Sequence, residues 1–231
     1  MPIRCVISDF GGVLTTPLLH SFAAFQDRTG IAPEALGRAM QRIAESEGSH
    51  PLFELEKGRV SEADFLTHIA AELAGDLGHE PEMHGFKEIY FDALDPNEPM
   101  IELMRRLRAG GMRMALLTNN VREWEPLWRS MLPVDEIFEL VVDSAFVGMR
   151  KPEPEIYQLT LERVRALEGI GDLDFAECLF VDDVEVNVEA ARALSMRAVH
   201  FRSNEQAVAE VEAAVGPLRM TRSHDSAEPG S

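Results

Sequence analysis

Three acidic side chains and one lysine stand where apolar runs end or a helix begins. Asp9 follows the first apolar run of the chain, the pair Asp182 and Asp183 follows a later one, and Lys151 stands in a loop just before a predicted helix. Carboxylate oxygens are the ligands that Mg²⁺ prefers. A carboxylate can also attack phosphorus covalently, and lysine offers phosphate a compact positive charge. These residue types are suited to magnesium-dependent phosphoryl chemistry.

Two further groups of residues fit the same chemistry. Thr118 ends another apolar run and offers a hydroxyl donor, while the backbone amides of Asn119 and Asn120 could cradle phosphate oxygens. Gly11 and Gly12 let the backbone turn sharply and approach a ligand closely. Each feature alone is common at turns and surfaces, but their joint order predicts a single site.

Five short apolar runs, separated in the second half of the chain by helical patterns, predict how these residues are positioned. This alternation is typical of an α/β protein with a parallel sheet covered on both faces. An order 3-2-1-4-5 would bring Asp9, Thr118 and Asp183 to one crevice at the carboxyl ends of the strands. The runs predicted to form strands are residues 3–8, 112–117, 138–142, 178–181 and 198–201.

Residues 15–97 interrupt this rhythm with four helix-like stretches and no convincing strand. Pro33 fits the first turn of one helix, Ser61 with Asp64 resembles a capping box, and Pro81 is expected to open the last helix. The segment is therefore predicted to be a helical insert between the first and second strands.

Composition excludes several classes of protein. The 231 residues hold 22 Lys and Arg against 40 Asp and Glu, a formal net charge of −18, which disfavours nucleic acid and anionic membranes as partners. Cys5 and Cys178 are the two cysteines, so a disulfide framework is excluded and a reducing, cytoplasmic location is expected. No apolar run approaches the roughly 18 residues of a transmembrane helix. The N-terminus shows no signal-peptide pattern.

Four segments together resemble the ordered motifs of the haloacid dehalogenase superfamily. They are DFGGVL (9–14), ALLTNN (115–120), GMRKPEPEIY (148–157) and LFVDDVEVNVEAAR (179–192), and residues 53–65 resemble the cap of phosphatase-like members. The resemblance implies a Rossmann-like parallel sheet core with a small helical cap. The implied units are the core (1–14 and 98–216), the cap (15–97) and a flexible tail (217–231).

The resemblance also implies roles for the matching positions. Asp9 would be the nucleophile and a Mg²⁺ ligand, and Asp183 a direct Mg²⁺ ligand. Asp182 would act on the metal through water, and the Gly11 carbonyl would bind it. The substrate would be a small phosphorylated metabolite, bound by a monomer or a homodimer. The residues implied to contact the phosphoryl group are Thr118, Asn119, Lys151 and Gly12, with Asn187 bracing the acidic loop.

Gly11 departs from the family pattern, because phosphatases of this family usually carry a second aspartate there as general acid and base. We expect the acid to come from the cap, with His20, His50 or Glu54 as candidates, or from substrate or water. Two alternatives stay open. One is a metal-free 2-haloacid dehalogenase, which the crowded acidic pair disfavours. The other is a low-activity regulatory protein that retains the fold.

The segments 53–54 and 15–20 are our candidates for substrate selection. Leu36 and Phe65 in the insert, and Trp124 with Trp128 after the second strand, are interpreted as packing residues.

Overall fold

The predicted strands form one parallel five-stranded sheet. The computed structural model describes residues 1–17, 19–83 and 85–217. The strands are β1 (Cys5–Ser8), β2 (Arg113–Thr118), β3 (Leu140–Asp143), β4 (Cys178–Asp182) and β5 (Arg197–His200). Their order is β3-β2-β1-β4-β5 and each neighbouring pair is parallel, so the predicted topology is confirmed.

Alternate side chains of the central strands enter two separate hydrophobic cores. In β1, Val6 packs into one core, whereas Cys5 and Ile7 pack into the other. The same alternation divides Leu116 from Leu117 in β2. Strands buried on both faces need apolar residues at nearly every position, which explains why these segments are continuous apolar runs.

Helices cover both faces of this sheet. Within the described residues they are α1 (Leu19–Thr29), α2 (Pro33–Glu47), α3 (Pro51–Glu56), α4 (Glu62–Leu77), α5 (Phe86–Asp92), α6 (Glu98–Ala109), α7 (Glu125–Ser130), α8 (Val134–Ile137), α9 (Ser144–Val147), α10 (Pro154–Arg165), α11 (Glu185–Ala193) and α12 (Asn204–Val215). Helices α6 and α12 pack on the Val6 side, and α10 and α11 pack on the Ile7 side. The sheet is thus covered on both faces, as predicted.

The segment 15–97 contains α1 to α5, and their apolar sides join the core on the Val6 side. Pro33 is the first residue of α2, as predicted. The Ser61 hydroxyl accepts a hydrogen bond from the Asp64 N–H at 3.1 Å and caps α4, which confirms that helix start. The division of the chain into a core and a cap stays a prediction.

Several element boundaries differ from the sequence predictions, and one helix was not predicted. Pro81 does not open a helix, because the chain turns at Gly85 (φ 76°) and α5 begins only at Phe86. Strand β3 begins at Leu140, because the buried Phe138 closes α8 through a hydrogen bond from its N–H to Val134 O. Helix α10 begins at Pro154 rather than near Pro152. The six-residue α3 is too short to show helical periodicity and was not predicted.

Two predictions concern other properties of the chain. The tail prediction falls almost wholly on residues 218–231, which lie outside the described residues. In the ranges that the structure describes, no helix combines the length and the apolar character needed to cross a bilayer.

Candidate active site

The topology brings the predicted chemical groups to one edge of the sheet. Strand β1 pairs with β2 on one side and with β4 on the other. Asp9 directly follows β1, Thr118 is the last residue of β2, and Asp182 is the last residue of β4. The carboxyl ends of these three adjacent parallel strands therefore carry the polar residues, as the strand order predicts.

Three carboxylates form a compact cluster at this edge. Asp9, Asp182 and Asp183 each offer an oxygen, and these oxygens lie within 4.8 Å of one another. Asp182 is completely buried and Asp9 is 7% exposed. The Lys151 ammonium, also buried, lies 2.7 Å from Asp9 Oδ1 and 2.7 Å from Asp182 Oδ2. One lysine thus bridges acids that follow two different strands.

If all three carboxylates were ionised, they would carry more negative charge than the one lysine can balance. Burial raises the pKa of Asp9 to about 8, and the Asp182 and Asp183 charges add to this effect while Lys151 opposes it. Burial also raises the pKa of Asp183 to about 6, with the Asp182 charge adding to it. Burial lowers the pKa of Lys151, but the charges and hydrogen bonds of Asp182 and Asp9 outweigh it, so the pKa is raised overall. Oxygen ligands with surplus negative charge fit a hard divalent cation.

Asp182 is held by protein donors on both of its oxygens. Its Oδ1 accepts from the Val184 N–H at 2.8 Å, and the Asn187 amide lies 3.1 and 3.2 Å from its two oxygens. Tyr157 Oη in turn donates to the Asn187 carbonyl at 3.0 Å. Asn187 therefore braces the acidic loop. Asp182 has little free capacity for a direct metal bond, whereas no side-chain donor is found on the Asp183 carboxylate among the described residues.

Asn119 fixes the loop that carries the lysine. Its Oδ1 accepts from the Lys151 N–H at 2.8 Å, and its Nδ2 donates to the Lys151 carbonyl at 3.0 Å. The side chain is therefore used for positioning Lys151. The Asn120 N–H donates to Ser144 Oγ at 3.0 Å, which contradicts the expectation that it helps to cradle phosphate. Among the described residues the Thr118 hydroxyl has only a long 3.5 Å contact to Asn119 O, so it is available to a ligand.

Gly12 permits the close approach of the first loop to Asp183. It adopts φ 74°, and a Cβ built on it would lie 2.7 Å from Asp183 Cγ and closer still to Oδ2. A side chain at this position would displace the carboxylate. The Gly12 N–H donates to Thr15 Oγ1 at 3.1 Å, which gives that donor a partner inside the loop. The phosphate and metal contacts of Gly12 and Gly11 stay predictions.

The three side chains predicted as general acids do not have the surroundings of a proton donor. Burial and the Arg150 charge lower the pKa of His50, whose buried Nδ1 has no hydrogen-bond partner in the part of the chain that the structure describes. Hydrogen bonds from Ser49, at 2.7 Å, and from Arg59 lower the pKa of Glu54, so it favours the ionised form. His20 is exposed, and no contact ties it to the acidic cluster among the described residues.

Sequence reasoning missed two groups near the cluster. Arg150 Nε lies 2.5 Å from Glu56 Oε2, which joins the end of α3 to the loop of Lys151. Burial raises the pKa of the Tyr90 hydroxyl, and the charges of Asp9 and Glu56 add to this, which places the phenol near the acids. Arg150 lies in the segment 148–157, but its partner Glu56 and Tyr90 lie outside the four motif segments, so only the folded chain reveals these contacts.

Relatives of the chain were found by sequence. The mouse (Mus musculus) acyl-CoA dehydrogenase family member 10 is 29% identical over 94% of this chain. The pig (Sus scrofa) bifunctional epoxide hydrolase 2 is 26% identical over 94%. This chain spans only 20% and 39% of their respective lengths. A sesquiterpene phosphatase of Aspergillus oryzae is 27% identical, with 92% of this chain and 97% of that protein covered.

Solved structures share the fold. A HAD family enzyme of Bacteroides thetaiotaomicron, in complex with magnesium and inorganic phosphate, matches with a TM-score of 0.61 at 22% identity. The match covers 87% of this chain and 94% of that one. The L-2-haloacid dehalogenase of Xanthobacter autotrophicus has a TM-score of 0.57 at 22% identity, covering 94% and 85%. A sequence model of the haloacid dehalogenase-like hydrolases matches residues 3–194. The chain therefore belongs to the haloacid dehalogenase-like hydrolase family.

Proposed function

We propose that the chain is a magnesium-dependent phosphatase of a small organic phosphate monoester, with Asp9 as the nucleophile. The observation that carries this proposal is the cluster of Asp9, Asp182 and Asp183 around Lys151, at the carboxyl edge of the sheet. Three carboxylates packed within 4.8 Å are costly unless a cation compensates them. A phosphoryl group also needs positive charge nearby, because the net charge of −18 repels it.

In this proposal each described residue has a distinct task. Asp9 attacks phosphorus and the P–O bond to the leaving group breaks, which gives an aspartyl phosphate and an alcohol. Water then hydrolyses the aspartyl phosphate. Lys151 orients the Asp9 carboxylate and balances charge on the phosphoryl oxygens, while the Thr118 hydroxyl donates to one of them. Asn119 and Asn187 hold Lys151 and Asp182 in place.

Asp9, Asp183 and the Gly11 carbonyl are the groups that would hold Mg²⁺ directly, with Asp182 acting through water. Bound Mg²⁺ would neutralise the acids and stabilise charge on the transferring phosphoryl group. The saturation of Asp182 by protein donors supports the assignment of Asp183 as the direct ligand.

The proton for the leaving group needs a source other than residue 11. Glycine has no proton to give, and general acid–base help is worth about 10² to 10⁴ in rate. The ionised Glu54 and the neutral His50 are poor donors, which favours water or the substrate itself as the source. Acyl phosphates need the least help, because their leaving group is already a weak base.

The test is phosphate release from acetyl phosphate and a panel of phosphate monoesters, with Mg²⁺ and with a chelator. We expect activity that the chelator abolishes and that Asp9→Asn loses. The matched control is Asp135→Asn, since this exposed aspartate pairs with Arg129. Full activity of Asp9→Asn would remove Asp9 from the reaction. Chelator-resistant chloride release from 2-chloropropionate would instead support the dehalogenase alternative.

A further inference from the structure

An apolar cavity of about 190 Å³ opens directly beside the candidate active site. Gly11, Thr118 and Asn119 border it at one end, so it is continuous with the place where a phosphoryl group would sit. Leu36 and Phe65, interpreted from sequence as packing residues, line it from the insert. The cavity therefore lies between the insert and the carboxyl edge of the sheet, next to the candidate active site.

Aromatic rings form much of one wall. The Trp124 ring lies 4.8 Å from the Tyr90 ring, 5.4 Å from Phe91 and 6.0 Å from Phe86, measured between centroids. All four residues line the cavity, and Trp128 lines it as well. Both tryptophans are buried in the core on the Val6 side, which confirms their interpretation as packing residues, and they border the cavity as well.

The amide and carboxylate side chains in the lining have few acceptors left for a ligand, which leaves the Thr118 and Tyr90 hydroxyls open to it among the described residues. The Glu56 carboxylate pairs with Arg150, Asn119 Oδ1 accepts from the Lys151 N–H, and Asn120 Oδ1 accepts from the Val121 N–H at 2.9 Å. A sugar would bring several hydroxyl donors into this space. Each hydroxyl left without a partner would oppose binding, because a buried polar group without a hydrogen bond is costly.

Two donors beside the cavity have almost no accessible surface, so a ligand in the cavity does not reach them. The buried indole nitrogens of Trp124 and Trp128 have no acceptor within the described residues. A group that is mostly hydrocarbon, with one or two oxygens for the Thr118 and Tyr90 hydroxyls, would fit such a lining, whereas a polyol would not.

The size of the cavity limits the group that can enter. An apolar cavity of about 150 Å³ in another protein holds one benzene molecule. The space here is somewhat larger, so it fits a single aromatic ring or a short alkyl or branched chain of about six to eight carbons.

We propose that this cavity binds the leaving group of the substrate, and that the substrate is a phosphate monoester of an apolar alcohol. The proposal rests on the phosphatase function proposed above. In the overall reaction water and R–O–PO₃²⁻ give R–OH and HPO₄²⁻. The P–O bond breaks, the bridging oxygen stays with R, and water supplies the proton and the new oxygen on phosphorus.

The kinetic test is a series of n-alkyl phosphates from ethyl to decyl, compared with glucose 6-phosphate, glycerol phosphate and acetyl phosphate in the presence of Mg²⁺. Burial of each methylene should raise kcat/KM about fourfold until the cavity is full, after which the rise should stop. Glucose 6-phosphate should be at least 100-fold poorer than hexyl phosphate. A flat series, or a preference for the sugar phosphate, would overturn the proposal while leaving phosphatase activity intact.

A variant pair tests whether the cavity itself selects the substrate. Leu66 lines the cavity, is partly buried and lies on α4, so Leu66→Trp should fill the space. Leu77 lies on the same helix, is also partly buried and does not line the cavity, so Leu77→Trp is the matched control. Leu66→Trp should lose the preference for hexyl over ethyl phosphate, whereas Leu77→Trp should keep it. An unchanged preference would contradict the proposal.

Binding can be followed without turnover, because both tryptophans of the chain line the cavity. Titration with hexylphosphonate, which cannot be hydrolysed, should change the intrinsic tryptophan emission with saturation. Methylphosphonate should change it little at the same concentration. Saturable binding of hexylphosphonate with no phosphate release from any substrate would refute the phosphatase function, while the cavity would still stand as a binding site for an apolar group. Equal or absent responses to both phosphonates would refute the cavity proposal.

Discussion

Gly12→Ala should separate the positioning of Asp183 from simple backbone strain. Gly12 has φ 74°, which costs a residue with a Cβ about 1–2 kcal/mol. The new Cβ would also lie 2.7 Å from Asp183 Cγ, whereas carbon atoms pack best at about 3.5–4.0 Å. The carboxylate must therefore move by about 1 Å. A misplacement of this size can cost about 100-fold in rate.

Gly30→Ala is the matched control for this change. Gly30 has φ 75°, and nothing lies within 4 Å of a Cβ built on it. We expect it to lose about 1–2 kcal/mol of unfolding free energy and to keep full activity. Gly12→Ala should lose at least as much unfolding free energy as Gly30→Ala. Its kcat/KM should also fall about 100-fold, and its affinity for Mg²⁺ should decrease.

Two assays on the same samples check this prediction. Urea unfolding gives the free energies, and phosphate release across a range of Mg²⁺ concentrations gives the activity and the metal affinity. If Gly12→Ala matched Gly30→Ala in activity and in Mg²⁺ dependence, the close contact between Gly12 and Asp183 would have no functional meaning.

Three further changes probe the other supports of the site. Lys151→Met removes the cation shared by Asp9 and Asp182. It should lower the unfolding free energy, measured in urea, by about 3–5 kcal/mol. A loss below about 1 kcal/mol would contradict the buried ion bridge. Asn187→Ala removes the amide that donates to Asp182. It should lower the free energy of unfolding by about 1.5–3 kcal/mol and lower kcat more than it raises KM. An effect on stability alone would argue against a role of Asn187 in positioning Asp182. Burial raises the pKa of Asp143 in the folded chain to about 7. Between about pH 4 and 7 this carboxyl is therefore ionised in the unfolded chain but protonated in the folded chain, and the free energy of unfolding falls as the pH rises through that range. As the pH rises through that range, the free energy of unfolding of Asp143→Asn should therefore become a few kcal/mol higher relative to that of the unmodified chain. Parallel curves of unfolding free energy against pH for the two proteins would refute this.

The fold was predictable because its main signals are local. The strand segments are buried on both faces, so their apolar runs stand out, and a polar residue marks the carboxyl end of β1, β2 and β4. The short α3 and the late start of α5 were not predictable, since one lacks periodicity and the other depends on the turn at Gly85.

The candidate site was predictable only as a set of residues. The spacing of the motifs indicates which groups meet, but not that Lys151 bridges Asp9 and Asp182, or that Asn119 faces the lysine backbone rather than a ligand. The cavity escaped prediction altogether. Its lining residues are spread from Phe10 to Trp128, and in the sequence an apolar residue that lines a cavity looks the same as one that fills a core.

The most direct measurement is a crystal structure of the chain grown with Mg²⁺ and beryllium fluoride, which imitates a phosphoryl group on a carboxylate. We predict one metal ion between Asp9 and Asp183, and the fluoride complex on Asp9 within reach of Lys151 and Thr118. A structure in which the acids hold no ion and Asp9 carries no beryllium fluoride would contradict the account.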